Sequence, residues 1–118
     1  MCQRHMNSAF PLKWEFPGGK VENDELPKDA LKRELREELG IEVLESQEIF
    51  QQEHRYPAGP DVFLNFFQVL QYEGEVKNLV FQQLCWAEIK ELAEIDFLAG
   101  DRPLIKILVG ADGKGLLL

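Results

Sequence analysis

Glu34, Glu37 and Glu38 fall at i, i+3 and i+4, a spacing that brings three carboxylates onto one face of a helix. Like charges so placed oppose helix formation by roughly 0.2 to 0.5 kcal/mol per pair. A positive partner removes that cost, and a hard divalent cation is the simplest one. Mg²⁺ or Mn²⁺ takes oxygen ligands, keeps waters, and shares one or two carboxylates with substrate phosphates. Arg33 lies one turn before Glu37, placed to pin that carboxylate through a charge-assisted pair. The plain alternative is a solvated helix face, since glutamate favours exposed helices. What argues for chemistry is the preceding loop, Phe16-Pro17-Gly18-Gly19-Lys20, whose glycines permit close backbone approach to a helix-borne site.

The elements that must carry these residues are legible in outline. Ala30, Leu31, Leu35 and Leu39 form the apolar stripe of a helix running from Pro27 to Leu39, with Pro27 in its first turn and Gly40 as its stop. Trp14 to Phe16 reads as a short extended piece, with Lys20 to Val21 as its continuation. Ile41–Val43, Glu48–Tyr56, Asp61–Tyr72 and Phe81–Trp86 read as strands. The Pro57-Ala58-Gly59-Pro60 turn pairs the second and third of these antiparallel. A short helix is expected around Ile89 to Leu92. A last amphipathic helix follows Asp101, with Pro103 in its first turn and Leu104, Ile105 and Leu108 facing inward. Strands with helices set between and after them predict a mixed α/β or α+β layer fold.

With 118 residues and a net charge of −8, the chain is read as one domain over 1–109 with a flexible tail over 110–118. Surplus negative charge argues against binding a nucleic acid polymer, and an anionic ligand would need a cation as go-between. No apolar run approaches the length of a membrane span or a signal peptide, so a cytoplasmic protein is expected. Cys2 and Cys85 are too few and too far apart for a disulfide framework or zinc knuckle, and Cys85 is expected to pack within a strand. His5 and His54 have no partner at i+4 and read as surface or strand residues rather than zinc ligands.

Gly19, five residues, Glu25, seven residues, then Arg33-Glu34-Leu35-Arg36-Glu37-Glu38-Leu39-Gly40-Ile41 resembles the full signature of the Nudix hydrolases. The flank Trp14-Glu15-Phe16-Pro17-Gly18-Gly19-Lys20-Val21-Glu22, the Tyr72-Glu73-Gly74-Glu75 segment, the strand bearing Trp86, and Asp101-Arg102-Pro103-Leu104 are similar to the MutT-like subgroup. The resemblance implies an α/β/α sandwich around a mixed sheet. It also implies Mg²⁺-dependent hydrolysis of nucleoside triphosphates to monophosphate and pyrophosphate, with oxidised (d)GTP or (d)CTP as candidate substrates. Carried over by position, Glu34, Glu37 and Glu38 are implied metal ligands and Gly19 supplies a carbonyl. Arg33 orients the glutamates, Glu25 supports the loop and helix start, Arg4 contacts phosphate, and Asp101 faces the base. An ionised Asp101 suits the adjacent N1–H and N2–H donors of a guanine, whereas cytosine, with an acceptor at N3, favours the protonated acid. Asp101 also suits a helix N-cap. Phe66 and Trp14 sit where they would flank a base or, more simply, fill the core.

Two departures bear on this reading. Many MutT-like members carry a glutamate six residues before the strand tryptophan, where this chain has Val80; Glu53 or Glu75 would have to compensate. The family also carries a further strand ahead of Cys2; either the sequence given starts late or the sheet has an exposed edge, and the expectation for this chain in isolation is poor solubility or strand-mediated homodimerisation. The rival readings are a catalytically weakened nucleotide-binding module and a hydrolase of another nucleoside diphosphate-linked compound.

Overall fold

A computed structural model describes residues 1–57 and 61–111. Helix α1 spans Pro27–Leu39, with Asp29 at the positive end of its dipole. Gly40 ends it in the left-handed region (φ 69°), its N–H donating to the Arg36 carbonyl at 3.1 Å, a conformation only glycine takes without strain.

The chain then makes a long antiparallel hairpin of β3 (Glu42–Arg55) and β4 (Asp61–Glu73), paired from Glu42 with Glu73 to Arg55 with Asp61. The gap expected between two strands over 41–56 does not exist. Irregularities in register between Val43 and Ser46 and between Glu48 and Phe50 absorb the broken alternation, as bulges do. Of the expected Pro57–Pro60 turn, residues 58–60 lie outside the described residues.

A second, three-stranded antiparallel sheet has β1 (Cys2–Gln3) between β2 (Trp14–Glu15) and β5 (Gln83–Leu84). The expected single mixed sheet is therefore two antiparallel ones; the parallel contact is an isolated bridge from Trp14 to Phe97. The strand expected over 81–86 shrinks to two residues, and Lys20–Val21 is not a strand because the Lys20 carbonyl accepts from Arg33 instead. Cys85 falls just beyond β5 and is exposed, contrary to expectation, while Cys2 is fully buried; both are free thiols. The short helix is a 3-10 helix, Ile89–Glu94, and another, Ala99–Asp101, leads into α2, Arg102–Ala111. Helix α2 thus runs two residues past 109, and residues 112–118 lie outside the description.

The hairpin is the middle layer of an α+β sandwich. On one face, Leu104, Ile105 and Leu108 of α2 pack with Phe66, Leu92 and Phe97. On the other, Leu35 and Leu39 of α1 pack with Ile41 and Val43. Phe66 and Val69, three residues apart on β4, go to opposite clusters, as the two-residue side-chain period of a strand requires. Phe66 is core, and Trp14 packs on the same cluster. The sandwich brings the inner face of α1, the 16–19 loop and the first residues of α2 to one end of the three-stranded sheet.

Candidate active site

The apolar stripe of α1 fixes its rotation and so sends its glutamates towards the glycine loop. Glu38 is buried (8% exposed) and accepts the Gly18 N–H at 3.0 Å. Glu34 lies so close to Gly19 that a Cβ built there would overlap its carboxyl group, so a side chain at this position would have to displace the end of Glu34. Arg33 organises the rest. Its Nε and Nη2 donate in a fork to the two oxygens of Glu25 at 2.9 and 3.0 Å, Nη2 also to the Lys20 carbonyl at 2.9 Å, and Nη1 to Glu34 Oε1 at 2.7 Å. The expected pin on Glu37 is the loosest of these, at 3.5 Å, and Glu37 stays mostly exposed. Glu25 Oε1 in turn accepts the Glu22 N–H at 3.0 Å, tying the loop shut ahead of the helix.

The electrostatics follow from these contacts. Hydrogen bonds from Arg33 hold Glu25 below the usual carboxylate range, and the same partnership raises Arg33 itself. Burial, reinforced by the charges of Glu34 and Glu15 and opposed by the Gly18 N–H, pushes Glu38 up to about 8. The donor set is all oxygen, rich in negative charge and closed by a glycine loop, which suits a hard divalent cation. Among the described residues no three His, Cys, Asp or Glu side chains are grouped so as to hold a metal ion. Glu34 and Glu38 are the enclosed members and Glu37 stands off.

Next to this face lies a second group. Asp101 is buried, and its Oδ2 accepts the Phe16 N–H at 3.0 Å. Among the described residues its Oδ1 has no hydrogen-bond partner. Burial, with a smaller push from the Glu15 charge, raises Asp101 to about 7. The Tyr56 hydroxyl packs against Gly100, and its ring meets Phe10 at 4.9 Å and His54 at 4.2 Å between centroids. Arg4 bonds Glu15 Oε2 at 2.8 Å and the Ala9 carbonyl at 2.7 Å, so it reaches the site through Glu15.

Glu15 and Tyr56 are site residues that sequence reasoning missed. Glu15 was legible as the polar member between Trp14 and Phe16, alternating on β2; Tyr56 carried no local signal. Val80 is exposed, and its carbonyl accepts from His5 Nε2 at 2.7 Å. Glu53 and Glu75 are exposed and make no hydrogen bond to this group.

A two-helix sandwich with a glycine loop closed on helix-borne glutamates defines a class, and comparison with known proteins identifies the family. A sequence model of the NUDIX domain matches residues 1–108. The chain belongs to the Nudix family. It is 35% identical over 106 residues to a CTP pyrophosphohydrolase of Escherichia coli (strain K12), covering 90% of this chain and 78% of that one. It is also 35% identical over 109 residues to an 8-oxo-dGTP diphosphatase of Haemophilus influenzae, covering 92% and 79%. In structure it resembles the E. coli ORF135 protein, with a TM-score of 0.82 at 32% identity over 97% of this chain and 81% of that one. It also resembles a MutT from a study of the Aliivibrio salmonicida and Vibrio cholerae proteins, with a TM-score of 0.76 at 32% identity over 92% and 82%.

Proposed function

We propose that the protein hydrolyses nucleoside triphosphates to the monophosphate and pyrophosphate, with guanine-type and cytosine nucleotides as its substrates. The names of relatives at 35% identity support both bases. The observation that carries the reading is the closure of the loop on α1: Gly18 N–H on Glu38, and Glu34 seated against Gly19. Glu34, Glu37, Glu38 and the Gly19 carbonyl are the groups that would hold a divalent cation, taken here as Mg²⁺ with Mn²⁺ as its substitute. When bound, that cation would supply charge neutralisation on the phosphates and a more acidic attacking water.

The chain's own residues do the rest. Arg33 and Glu25 are positioning residues: the forked pair keeps the loop against the helix and holds Glu34 in place. Glu34 or Glu38 accepts the proton of the attacking water. Arg4, released from Glu15, contacts phosphate, and Asp101 meets the base through Oδ1. Residues 1–109 act as one domain, in the cytoplasm where free nucleotides are found, on small nucleotides rather than a nucleic acid polymer. The unpaired edge of β5 beside an apolar cleft of about 430 Å³ lined by Leu39, Tyr72, Leu84 and Trp86 supports a homodimer through that edge.

The test is pyrophosphate release from a panel of nucleoside triphosphates with Mg²⁺, comparing the wild type with Glu38→Gln. Turnover that depends on both Mg²⁺ and Glu38 is expected. Nucleotide binding without turnover would support instead a weakened binding module, the reading that Val80 favours.

A further inference from the structure

Leu26, Pro27 and Lys28 at the start of α1 line one side of a cleft of about 390 Å³, and Ser46, Gln47 and Glu48 of β3 line the other. No residue of the glutamate face or its glycine loop takes part in it. Ser46 is 6% exposed, and its Oγ is the only enclosed side-chain polar atom without a hydrogen-bond partner among the described residues. Register fixes where it points. Ser46 pairs with Val69, and residues directly paired across an antiparallel ladder share a face. Val69 packs on the cluster of Leu35 and Leu39, so Ser46 faces α1, and the part of α1 that shares the cleft with it is the first turn. An enclosed hydroxyl that bonds nothing is costly, which calls for a group to answer it.

The first turn of α1 is open in the same way. Leu26 at the N-cap offers no side-chain acceptor. Pro27 has no N–H, and the Asp29 and Ala30 N–H groups both donate to the Leu26 carbonyl, at 3.0 and 2.9 Å. That leaves the Lys28 N–H without a partner among the described residues. The cleft thus gathers a hydroxyl, a free helix N–H, the positive end of the α1 dipole and the Lys28 side chain. Glu48 is the one carboxylate on its wall, and its Oε1 is engaged by the side-chain amides of Gln51 and Asn65. Asp29, the acid of the first turn, is exposed and lies outside the cleft.

We infer that this cleft is an anion site separate from the proposed nucleotide site, and that it takes a phosphate-class oxyanion: the Ser46 O–H and the Lys28 N–H donate to its oxygens, and the Lys28 ammonium answers its charge. An open helix start is a ready seat for such a group, and a compact centre with several acceptor oxygens meets donors arriving from α1 and β3 together. A water molecule would satisfy the hydroxyl and leave the Lys28 charge unanswered. Inorganic phosphate and the phosphate group of a mononucleotide share this chemistry. Once bound, the anion braces against β3 the first turn of the helix whose later turns carry Glu34, Glu37 and Glu38.

The test is a titration of the metal-free full chain with inorganic phosphate, near neutral pH and at constant ionic strength, followed at the backbone amides by NMR. A saturable shift of the residue 28 amide is expected in the wild type. Ser46→Ala should weaken that binding by about tenfold, the loss of one hydrogen bond to a charged group, and Lys28→Ala by a similar factor. Lys28 is exposed, so its variant reads the loss without disturbing the packing around Ser46. Thermal unfolding gives a second reading. Ser46→Ala removes the unpaired hydroxyl, so without phosphate its Tm should match or exceed that of the wild type, and phosphate should raise the wild-type Tm the more. An equal rise in both, as general exclusion of phosphate from protein surfaces would produce, overturns the proposal. So does a residue 28 shift that fails to saturate, or one whose midpoint is the same in both variants as in the wild type. Repeating the titration with dGMP separates the two sources: tighter binding at the residue 28 amide assigns the site to a nucleotide phosphate, and weaker binding assigns it to the free ion.

Discussion

Glu34, Glu37 and Glu38 come from a single turn and a half of α1, whereas the corner around Asp101 gathers Glu15 and Phe16, Tyr56, and Gly100 with Asp101 itself from three separate segments. Both regions bury a carboxyl group and raise its pKa, Glu38 to about 8 and Asp101 to about 7, with desolvation as the leading cause in each. They differ in what stands ready to answer the charge. Around the helix face, Arg33 grips Glu25 and Glu34 and the loop N–H reaches Glu38, yet acid still outnumbers base, a surplus that suits a cation. Around Asp101, among the described residues, one N–H answers, that of Phe16, and no cationic side chain bonds it. The same burial thus leaves the two carboxyl groups in different company, Glu38 among charged neighbours and Asp101 with a single backbone donor among the described residues.

Experiments that break one region and spare the other sharpen this contrast. Glu38→Gln should lower kcat by about 10² to 10⁴-fold, the range for loss of a proton-transfer or charge-bearing group, with the dCTP to dGTP preference unchanged; steady-state pyrophosphate release measures both. Gly19→Ala should cost about 100-fold in rate by displacing Glu34 through a misfit on the ångström scale, while the far-UV circular dichroism stays that of the folded chain. Arg33→Lys keeps the charge but loses the fork to Glu25, and should raise the Mg²⁺ concentration for half-maximal rate by about tenfold, as removal of a group that orients metal ligands does. The smallest effect lies at the other end. Asp101 holds its proton more tightly in the folded chain than in the unfolded one, where it titrates near 3.8. Its contribution to stability is therefore full below that value and is lost as pH rises through about 7. The metal-free wild type should show a Tm that declines over that window, and Asp101→Asn should decline less; a scanning calorimetry series in pH reads the difference.

This contrast also explains what could be read in advance. The helix face was legible because i, i+3, i+4 spacing is a local rule: once the Leu31, Leu35, Leu39 stripe sets which way α1 rolls, the glutamates have one place to go. Helix α2 was legible for the same reason, through Leu104, Ile105 and Leu108, all buried as expected. The strands were less so. Bulges in β3 hid the continuity of Glu42–Arg55, because alternation is the only strand signal and each bulge resets it. Glu15 could be read as the polar position on β2, but Tyr56 meets Gly100 across more than forty residues, and no spacing rule covers such a distance. The Arg33 fork to Glu25 was not legible: the resemblance named both residues without pairing them, and helix spacing pointed the arginine at Glu37, whereas it leans towards the loop.

The hairpin and the three-stranded sheet share no ladder among the described residues; they meet through interlocked side chains. No backbone rung ties the two pleated pieces together there, so their joint depends on side-chain packing, Trp14 on the cluster of Phe66 and Leu84 on that of Val43. On the proposed function, a nucleotide reaching from the acidic helix to the Asp101 corner would lie across that joint and hold it. The free protein should accordingly exchange its amide hydrogens faster along the seam than the loaded one, even where no ligand atom touches.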